Sequence, residues 1–295
     1  RVPHTFITNH RDIVMDSAFL SISLLDNGFG NTMEIAIGDN LLIRPWIKKL
    51  VRVDKAFIVQ RSVSLRQMLA SSTRLSRYMH YAIATKHENI WIAQREGRAK
   101  DSNDRTQDSI LKMMAMGGEG SIIDRLKQLN LVPTALSYEY DPCDYLKAQE
   151  FQQKRDIEGF KKNPKDDLVN MQTGIFGYKG RICFRVAGPL NDWLDTLPAD
   201  MPKTELFTAV ASRIDKEIHR NYKLYAGNYV AADLLRGTQE FAAHYTSEEK
   251  TRFEAYLESR LEKVTLPNPD TAFLRERLLT MYANPVFNYM AARQK

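Results

Sequence analysis

One histidine of this sequence stands beside two carboxylates at the end of a predicted strand. His10 follows the apolar run Thr5-Phe6-Ile7-Thr8, and Asp12 and Asp16 lie two and six residues beyond it. A histidine can act as a general base near neutral pH when a carboxylate orients its ring and stabilises the imidazolium. The same residues also fit a simple helix start, with Asp12 in the first turn and His10 in a loop. Catalysis therefore requires further groups that converge on the same place.

A second polar cluster, Arg95-Glu96-Gly97-Arg98-Ala99-Lys100, follows the predicted strand 89–94. Glycine lets a backbone approach an anion, while Arg and Lys donate charge-assisted hydrogen bonds to phosphate oxygens. A further cation, Arg61, comes directly after the predicted strand 56–60. Each cation alone could be a solvated surface charge. In an open α/β sheet, however, ligands bind at the carboxyl ends of the strands, so these groups are predicted to meet at one edge.

Short apolar runs alternate with amphipathic segments along most of the chain. Strands are predicted at 5–8, 33–37, 56–60, 89–94 and 131–136, and the intervening segments have helical spacing. Ser64 and Gln67 form a potential capping box at the start of the longest of these helices. This alternation predicts an α/β fold, a mixed and largely parallel sheet with helices on both faces. Residues 1–200 are assigned to this α/β domain and residues 201–295 to a helical C-terminal extension packed on it.

The segment after residue 140 is less regular. Two further strands are predicted at 175–178 and 181–186, joined by the turn residues Lys179-Gly180, and 161–167 is predicted to be an inserted loop. The chain begins with Arg1 and reads as a strand almost at once, so we expect it to be a piece of a longer protein.

Composition narrows the classes of function. Lys and Arg number 42 against 36 Asp and Glu, a net charge of +6 that favours anionic partners. No run approaches the ~20 apolar residues of a membrane-spanning helix. Two cysteines suit a reducing compartment and not a disulfide framework. The sequence contains no zinc, nucleotide or serine-hydrolase motif, and neither a metal nor a cofactor is expected.

The order of these motifs resembles that of the glycerol-phosphate and lysophosphatidate acyltransferases. That family shows His-x-x-x-x-Asp, an arginine after an apolar strand, Glu-Gly-(Thr or Gly)-Arg, and a Val-Pro strand. The resemblance covers roughly residues 1–140, and the glycerol-3-phosphate branch is closer because of residues 36–41 and 47–50. The matching segments are Asn9-His10…Asp16, Phe57-Ile58-Val59-Gln60-Arg61, Arg95-Glu96-Gly97-Arg98 and Leu131-Val132-Pro133-Thr134-Ala135.

The sequence departs from the family pattern in two places. Five residues, not four, separate His10 from Asp16, so Asp16 reaches His10 only if the first turn is irregular, and Asp12 is the alternative orienter. The residue that usually stands between Gly97 and Arg98 is missing, so Arg98 or Lys100 is expected to take the arginine's part.

The resemblance implies transfer of a fatty acyl group from acyl-CoA or acyl carrier protein to a hydroxyl of glycerol-3-phosphate or lysophosphatidate, in phospholipid biosynthesis. His10 is the implied general base, with Asp16 or Asp12 as its orienter and no covalent acyl-enzyme. The implied phosphate site consists of Arg61, Glu96, Gly97, Arg98 and Lys100, with Glu96 orienting the cations.

The expected partners and location follow from the same resemblance and from the charge. The protein is expected in the cytoplasm, bound peripherally to the anionic inner face of the cell membrane, and not to nucleic acid. Aromatic residues such as Trp46, Phe287 and Tyr289 are candidates for membrane contact, although burial in the core is their commoner fate.

Two alternatives remain open. Related N-acyltransferases that make amino-acid lipids also use a His-x5-Asp spacing. A non-catalytic basic module could instead hold a membrane or nucleic acid through Arg61, Arg95, Arg98 and Lys100, without using His10.

Overall fold

A six-stranded sheet forms the centre of the protein in a computed structural model, which describes residues 2–42, 45–60 and 64–294. The strands are β1 (Thr5–Thr8), β2 (Glu34–Gly38), β3 (Ala56–Val59), β4 (Ile90–Ala93), β5 (Leu131–Tyr138) and β6 (Ile182–Val186). Their order is β3-β2-β4-β1-β5-β6. Every neighbouring pair is parallel except β5 and β6, which are antiparallel. The predicted fold class, a mixed and largely parallel α/β sheet with helices around it, is confirmed.

Helices connect the strands and fill the C-terminal third of the chain. They are α1 (Met15–Asp26), α2 (Pro45–Val53), α3 (Leu65–Ala84), α4 (Asp108–Met114), α5 (Ile122–Gln128), α6 (Asp144–Asp156), α7 (Pro164–Phe176), α8 (Asn191–Leu194), α9 (Lys203–Arg220), α10 (Ala226–Arg236), α11 (Ser247–Leu261) and α12 (Thr271–Arg293). The predicted capping box at the start of α3 is present. Within the described ranges, no helix is both long and apolar enough to cross a bilayer.

The two faces of the sheet bury different sets of side chains. Phe6 and Trp91 point toward α1 and form a small core with Leu20 and Leu24. The alternate residues of the same strands, such as Ile7 and Ile92, belong to a larger core that includes α3, α4, α5 and α9. Because successive side chains of a strand point to opposite faces, His10 falls on the α1 face, two residues beyond Thr8.

The helices after residue 200 extend this architecture. α9 contributes Val210, Ile214 and Ile218 to the larger core, so it packs directly on the sheet. The later helices α10, α11 and α12 share a second core with Ala148 of α6.

The prediction for residues 161–178 is wrong. The predicted strand 175–178 is the end of α7 and the turn after it, and β6 pairs with β5 instead of forming a hairpin. The predicted loop 161–167 contains the start of α7. Asn163 accepts a hydrogen bond from the amide of Lys165, and the Asp166 carboxylate accepts one from the amide of Asn163. Asn163-Pro164 followed by Asp166 is a helix-start signal, with Pro at the first helical position.

Candidate active site

The loop between β1 and α1 carries the predicted histidine and its two carboxylates. Asn9 holds the start of this loop to the next strand: its side-chain amide donates to the carbonyl of Leu136 at 2.9 Å, and its side-chain oxygen accepts from the amide of Leu136 at 2.8 Å. Asn9 is fully buried. The position of His10 is therefore fixed relative to β5 by two hydrogen bonds.

Asp16 is the partner of His10. The Nδ1 atom of His10 lies 2.8 Å from Oδ2 of Asp16. Residues six apart do not share a face of a helix, but α1 begins only at Met15, and residues 9–12 form a loop that turns His10 back over the first turn. A carboxylate only accepts hydrogen bonds, so Nδ1 carries the hydrogen and Nε2 is the nitrogen that can take up a proton.

Four donors surround the Asp16 carboxylate, which is fully buried. Besides His10, the backbone amides of Arg11 and Asp12 donate to it at 2.7 and 3.0 Å. The hydroxyl of Tyr138, at the end of β5, donates to Oδ1 at 2.8 Å. A carboxylate has about four acceptor positions, and all of them are occupied here. This set of bonds holds Asp16, and through it the His10 ring, in one orientation.

The side chain of Arg11 links the same loop to Asp104, in the segment between β4 and α4. Its guanidinium makes two hydrogen bonds to the buried carboxylate of Asp104, at 2.8 and 2.6 Å. Tyr222 donates to the same carboxylate, and the His219 ring donates to the carbonyl of Asp104 at 2.9 Å. The carbonyl of Arg11 accepts from Lys147, which is also buried. The backbone amide, the carbonyl and both terminal guanidinium nitrogens of Arg11 are thus hydrogen-bonded within the protein.

Asp12, the alternative orienter, makes no hydrogen bond to His10 in the described structure and instead stabilises the start of α1. Its Oδ1 atom accepts from the amides of Val14 and Met15, both at 2.9 Å, and so caps the start of α1. Its Oδ2 atom is buried without a hydrogen-bond partner among the described residues. Burial raises the pKa of Asp12, and the neighbouring Asp16 raises it further. Gly174 of α7 lies directly against this oxygen, where a Cβ atom would clash.

An apolar cavity of about 350 Å³ opens beside His10. Its walls include β2, α2 and one face of α1. Val14, just before α1, and Ala18, Ile22 and Leu25 on α1 recur at helical spacing in the lining, and Ile47 and Val51 of α2 are one turn apart in it. The volume lies within the range of small-molecule pockets, and the lining is predominantly apolar.

The polar end of the cavity is formed by β4 and the residue after it. Trp91 packs edge-on against the His10 ring, with centroids 5.7 Å apart, and its indole N–H donates to Thr8 at 3.1 Å. Arg95 lines the cavity together with His10. The Nε atom of Arg95 is buried and has no hydrogen-bond partner among the described residues. A cation and a histidine therefore line the same predominantly apolar pocket.

The cations of the predicted phosphate-binding turn have different partners in the structure. Arg98 donates one hydrogen bond to Asn170 of α7 at 3.1 Å, while its Nη1 atom is buried with no partner in the described part of the chain. Asn170, which contacts Arg98, and Gly174, which lies against Asp12, are one turn apart on α7, a rise of about 6 Å. Lys100 instead pairs with Glu150 of α6 at 2.5 Å, and burial lowers its pKa.

The other predicted phosphate-site residues are Glu96, Gly97 and Arg61. Glu96 is exposed, and its backbone amide donates to the side chain of Gln107 at 2.7 Å. Gly97 has φ +67°, a left-handed conformation that favours glycine. Arg61 lies outside the described residues. In the described ranges, no cluster of three or more His, Cys, Asp or Glu residues could hold a metal ion.

Sequence reasoning missed several residues of this site. Tyr138 and Asp104 are far from His10 in the chain and carry no local motif, so nothing marked them as its neighbours. The sequence shows Arg95 only as part of a basic turn. The cavity is lined by residues of α1, α2, α7 and three strands, which are far apart in the chain. The alternation of β1 and β4 could have placed Arg95 beside His10, because Thr8 pairs with Ala93 in register.

No protein-family model matches this sequence, and no curated protein is significantly similar to it.

The hydrogen bond from Tyr138 to Asp16 is directly testable. We expect Tyr138→Phe to lower the free energy of unfolding by about 1.5–3 kcal/mol, the range for a hydrogen bond to a charged group. Tyr140→Phe is the matched control, because this neighbouring half-buried hydroxyl makes no hydrogen bond in the described structure. It should change stability by less than about 0.5 kcal/mol. Urea unfolding measures both, and equal effects would contradict the assigned contact.

Proposed function

We propose that this protein is an acyltransferase that moves a fatty acyl group from a thioester, acyl-CoA or acyl carrier protein, to a hydroxyl of glycerol-3-phosphate or lysophosphatidate. The observation that carries the proposal is that His10, paired with Asp16, lines an apolar cavity that Arg95 also lines. Acyl transfer to a phosphate-bearing acceptor needs a base, an apolar site and a cation, and all three are adjacent here.

The hydrogen bond at Nδ1 decides the role of His10. With Nδ1–H donated to Asp16, Nε2 accepts the proton of the acceptor hydroxyl as its oxygen attacks the thioester carbonyl. The C–S bond then breaks, and the protonated ring returns the proton to the departing thiolate. Asp16 stabilises the imidazolium between these steps, as the carboxylate does in hydrolytic triads. Such positioned base catalysis contributes ~10²–10⁴-fold to the rate.

The cavity is the proposed site of the acyl chain. Its walls are apolar side chains of α1, β2 and α2, and His10 lies at one end, next to the place where the thioester carbonyl would sit. Burial of a chain in such a site is favourable by about 0.8 kcal/mol per CH₂ group.

Arg95 and Arg98 are the proposed phosphate ligands. Each has a buried guanidinium nitrogen with no hydrogen-bond partner among the described residues, and an acceptor phosphate would supply one. The role proposed for Lys100 changes, because its ammonium group is already paired with Glu150. We assign Lys100 to holding the turn against α6 and leave direct phosphate contact to the arginines.

The proposal places the enzyme on the inner face of the cell membrane, as a peripheral protein of the cytoplasm. The net charge of +6 supports it, since each Lys or Arg near an anionic surface contributes about 1 kcal/mol to binding.

Two aspartates near His10 allow a matched test of the proposed mechanism. Asp16→Asn should lower kcat for acyl transfer by about 10²–10⁴-fold, since the amide no longer stabilises the imidazolium. Asp12→Asn should change kcat only a few-fold, because an Asn oxygen still accepts from the amides of Val14 and Met15. Steady-state transfer rates measure both. An equal loss in the two variants would contradict the distinct roles.

Chain-length preference tests the proposed acyl site. Ala18→Phe places a large ring in the cavity, and we expect it to lower kcat/KM for palmitoyl-CoA by about tenfold while octanoyl-CoA is affected much less. Ser23→Phe, on α1 but outside the cavity lining, is the control and should leave the ratio of the two donors unchanged. A constant ratio in Ala18→Phe would place the acyl chain elsewhere.

A further inference from the structure

Helix α7 touches the proposed site with one face. Asn170 accepts from Arg98, Met171 lines the cavity, and Gly174 lies against the carboxylate of Asp12. These residues are buried and occupy one side of the helix, as positions one and four apart do. The inner face of α7 is therefore a wall of the site.

The opposite face of α7 is exposed and apolar. Val169 and Phe176, two turns apart on one stripe, are 47% and 81% exposed. Ile175 beside them is 39% exposed, and Tyr178 in the turn after the helix is 74% exposed. Single exposed apolar residues are common on protein surfaces, but a contiguous group of large ones marks an interaction site.

Two lysines beside this face have no acidic partner in the described structure, although basic and acidic residues are equally numerous in 158–167. Lys161 and Lys165 are exposed near the start of α7 and make no ion pair among the described residues. Asp167 pairs with Lys162, and Asp166 accepts a hydrogen bond from the amide of Asn163. Glu158 is exposed. Exposed aromatic and aliphatic side chains beside unpaired lysines suit the headgroup region of an anionic bilayer.

The aromatic residues first considered for membrane contact are placed differently. Phe287 and Tyr289 of α12 are partly buried against the two cores. The side chain of Trp46 lies outside the described part of the structure.

We propose that the outer face of α7, with Val169, Ile175, Phe176, Tyr178, Lys161 and Lys165, is the surface by which this protein binds an anionic lipid bilayer. This inference rests on the proposed function and adds to it a specific orientation. Because the inner face of α7 lines the cavity and contacts Arg98, docking of the outer face holds the acyl site and Arg98 about one helix diameter, ~10 Å, from the lipid.

Cosedimentation with vesicles tests this surface. The purified chain is mixed with vesicles of equimolar phosphatidylglycerol and phosphatidylcholine, and the bound fraction gives a partition coefficient. Phe176→Ser should lower this coefficient by about tenfold, since a large apolar side chain no longer enters the interface. Tyr81→Ser, which removes a 50% exposed aromatic ring from α3, is the matched control and should have little effect.

A charge variant checks the same surface independently. Lys161→Glu combined with Lys165→Glu should lower binding to the phosphatidylglycerol vesicles by at least about tenfold and leave binding to pure phosphatidylcholine vesicles nearly unchanged. Unchanged binding in Phe176→Ser and in the lysine variant would overturn the inference, as would an equal loss in Tyr81→Ser.

Acyl transfer from water-soluble octanoyl-CoA to glycerol-3-phosphate, measured without vesicles, separates this inference from the proposed function. Phe176→Ser should keep the wild-type rate in this assay. If the wild type transfers no acyl group to any acceptor while Phe176→Ser still loses vesicle binding, the function is wrong and the docking surface stands. If transfer is normal and vesicle binding does not depend on α7, the surface is wrong and the function stands.

Discussion

The buried carboxylate of Asp16 is the constraint on which the site depends. A charge removed from water is tolerated only when its hydrogen-bonding capacity is met, and here two backbone amides, the ring of His10 and the hydroxyl of Tyr138 meet it. To bring these donors together, residues 9–12 must turn sharply between β1 and α1. The hydrogen bonds that stabilise the Asp16 carboxylate thus also fix the orientation of the His10 ring. Substrate binding therefore does not have to restrict the rotation of that ring.

The rest of the fold holds that turn from several directions. Asn9 ties it to β5, the Arg11 side chain ties it through Asp104 to α9, and the Arg11 carbonyl ties it to α6. The helices after residue 200 therefore contribute to the site although none of their side chains lines the cavity. The cations near the site fall into two groups, those that are ion-paired within the described part of the protein and those that are not. Lys100 and Lys147 are ion-paired within the protein, whereas Arg95 and Arg98 each keep a buried donor with no protein acceptor in the described structure.

Local pattern was enough to predict the strands of the parallel sheet and the place of His10 at the end of one of them, because period and turn residues are local properties. The five residues between His10 and Asp16 are accommodated locally, because the loop after β1 continues to residue 14 and α1 begins only at Met15. Contacts between distant segments could not be predicted this way: Tyr138 is 122 residues from Asp16, and Glu150 is 50 residues from Lys100. Residues 175–178 resemble a strand because β-branched and aromatic residues are enriched in strands, but they form the end of α7 and the turn after it. The helix-start signal Asn163-Pro164, in contrast, correctly indicates the helix that begins at Pro164.

Whether His10 carries acyl transfer is tested most directly by an acceptor panel. Wild type and His10→Ala are incubated with acyl-CoA or acyl carrier protein and with glycerol-3-phosphate, lysophosphatidate or an acylated amino acid, and the acylated product is quantified. We expect an ester product with a phosphate-bearing acceptor in the wild type, reduced by about 10²-fold or more in His10→Ala. Undiminished transfer by His10→Ala would contradict the assigned base. Product with the amino-acid acceptor alone would contradict the assigned substrate class.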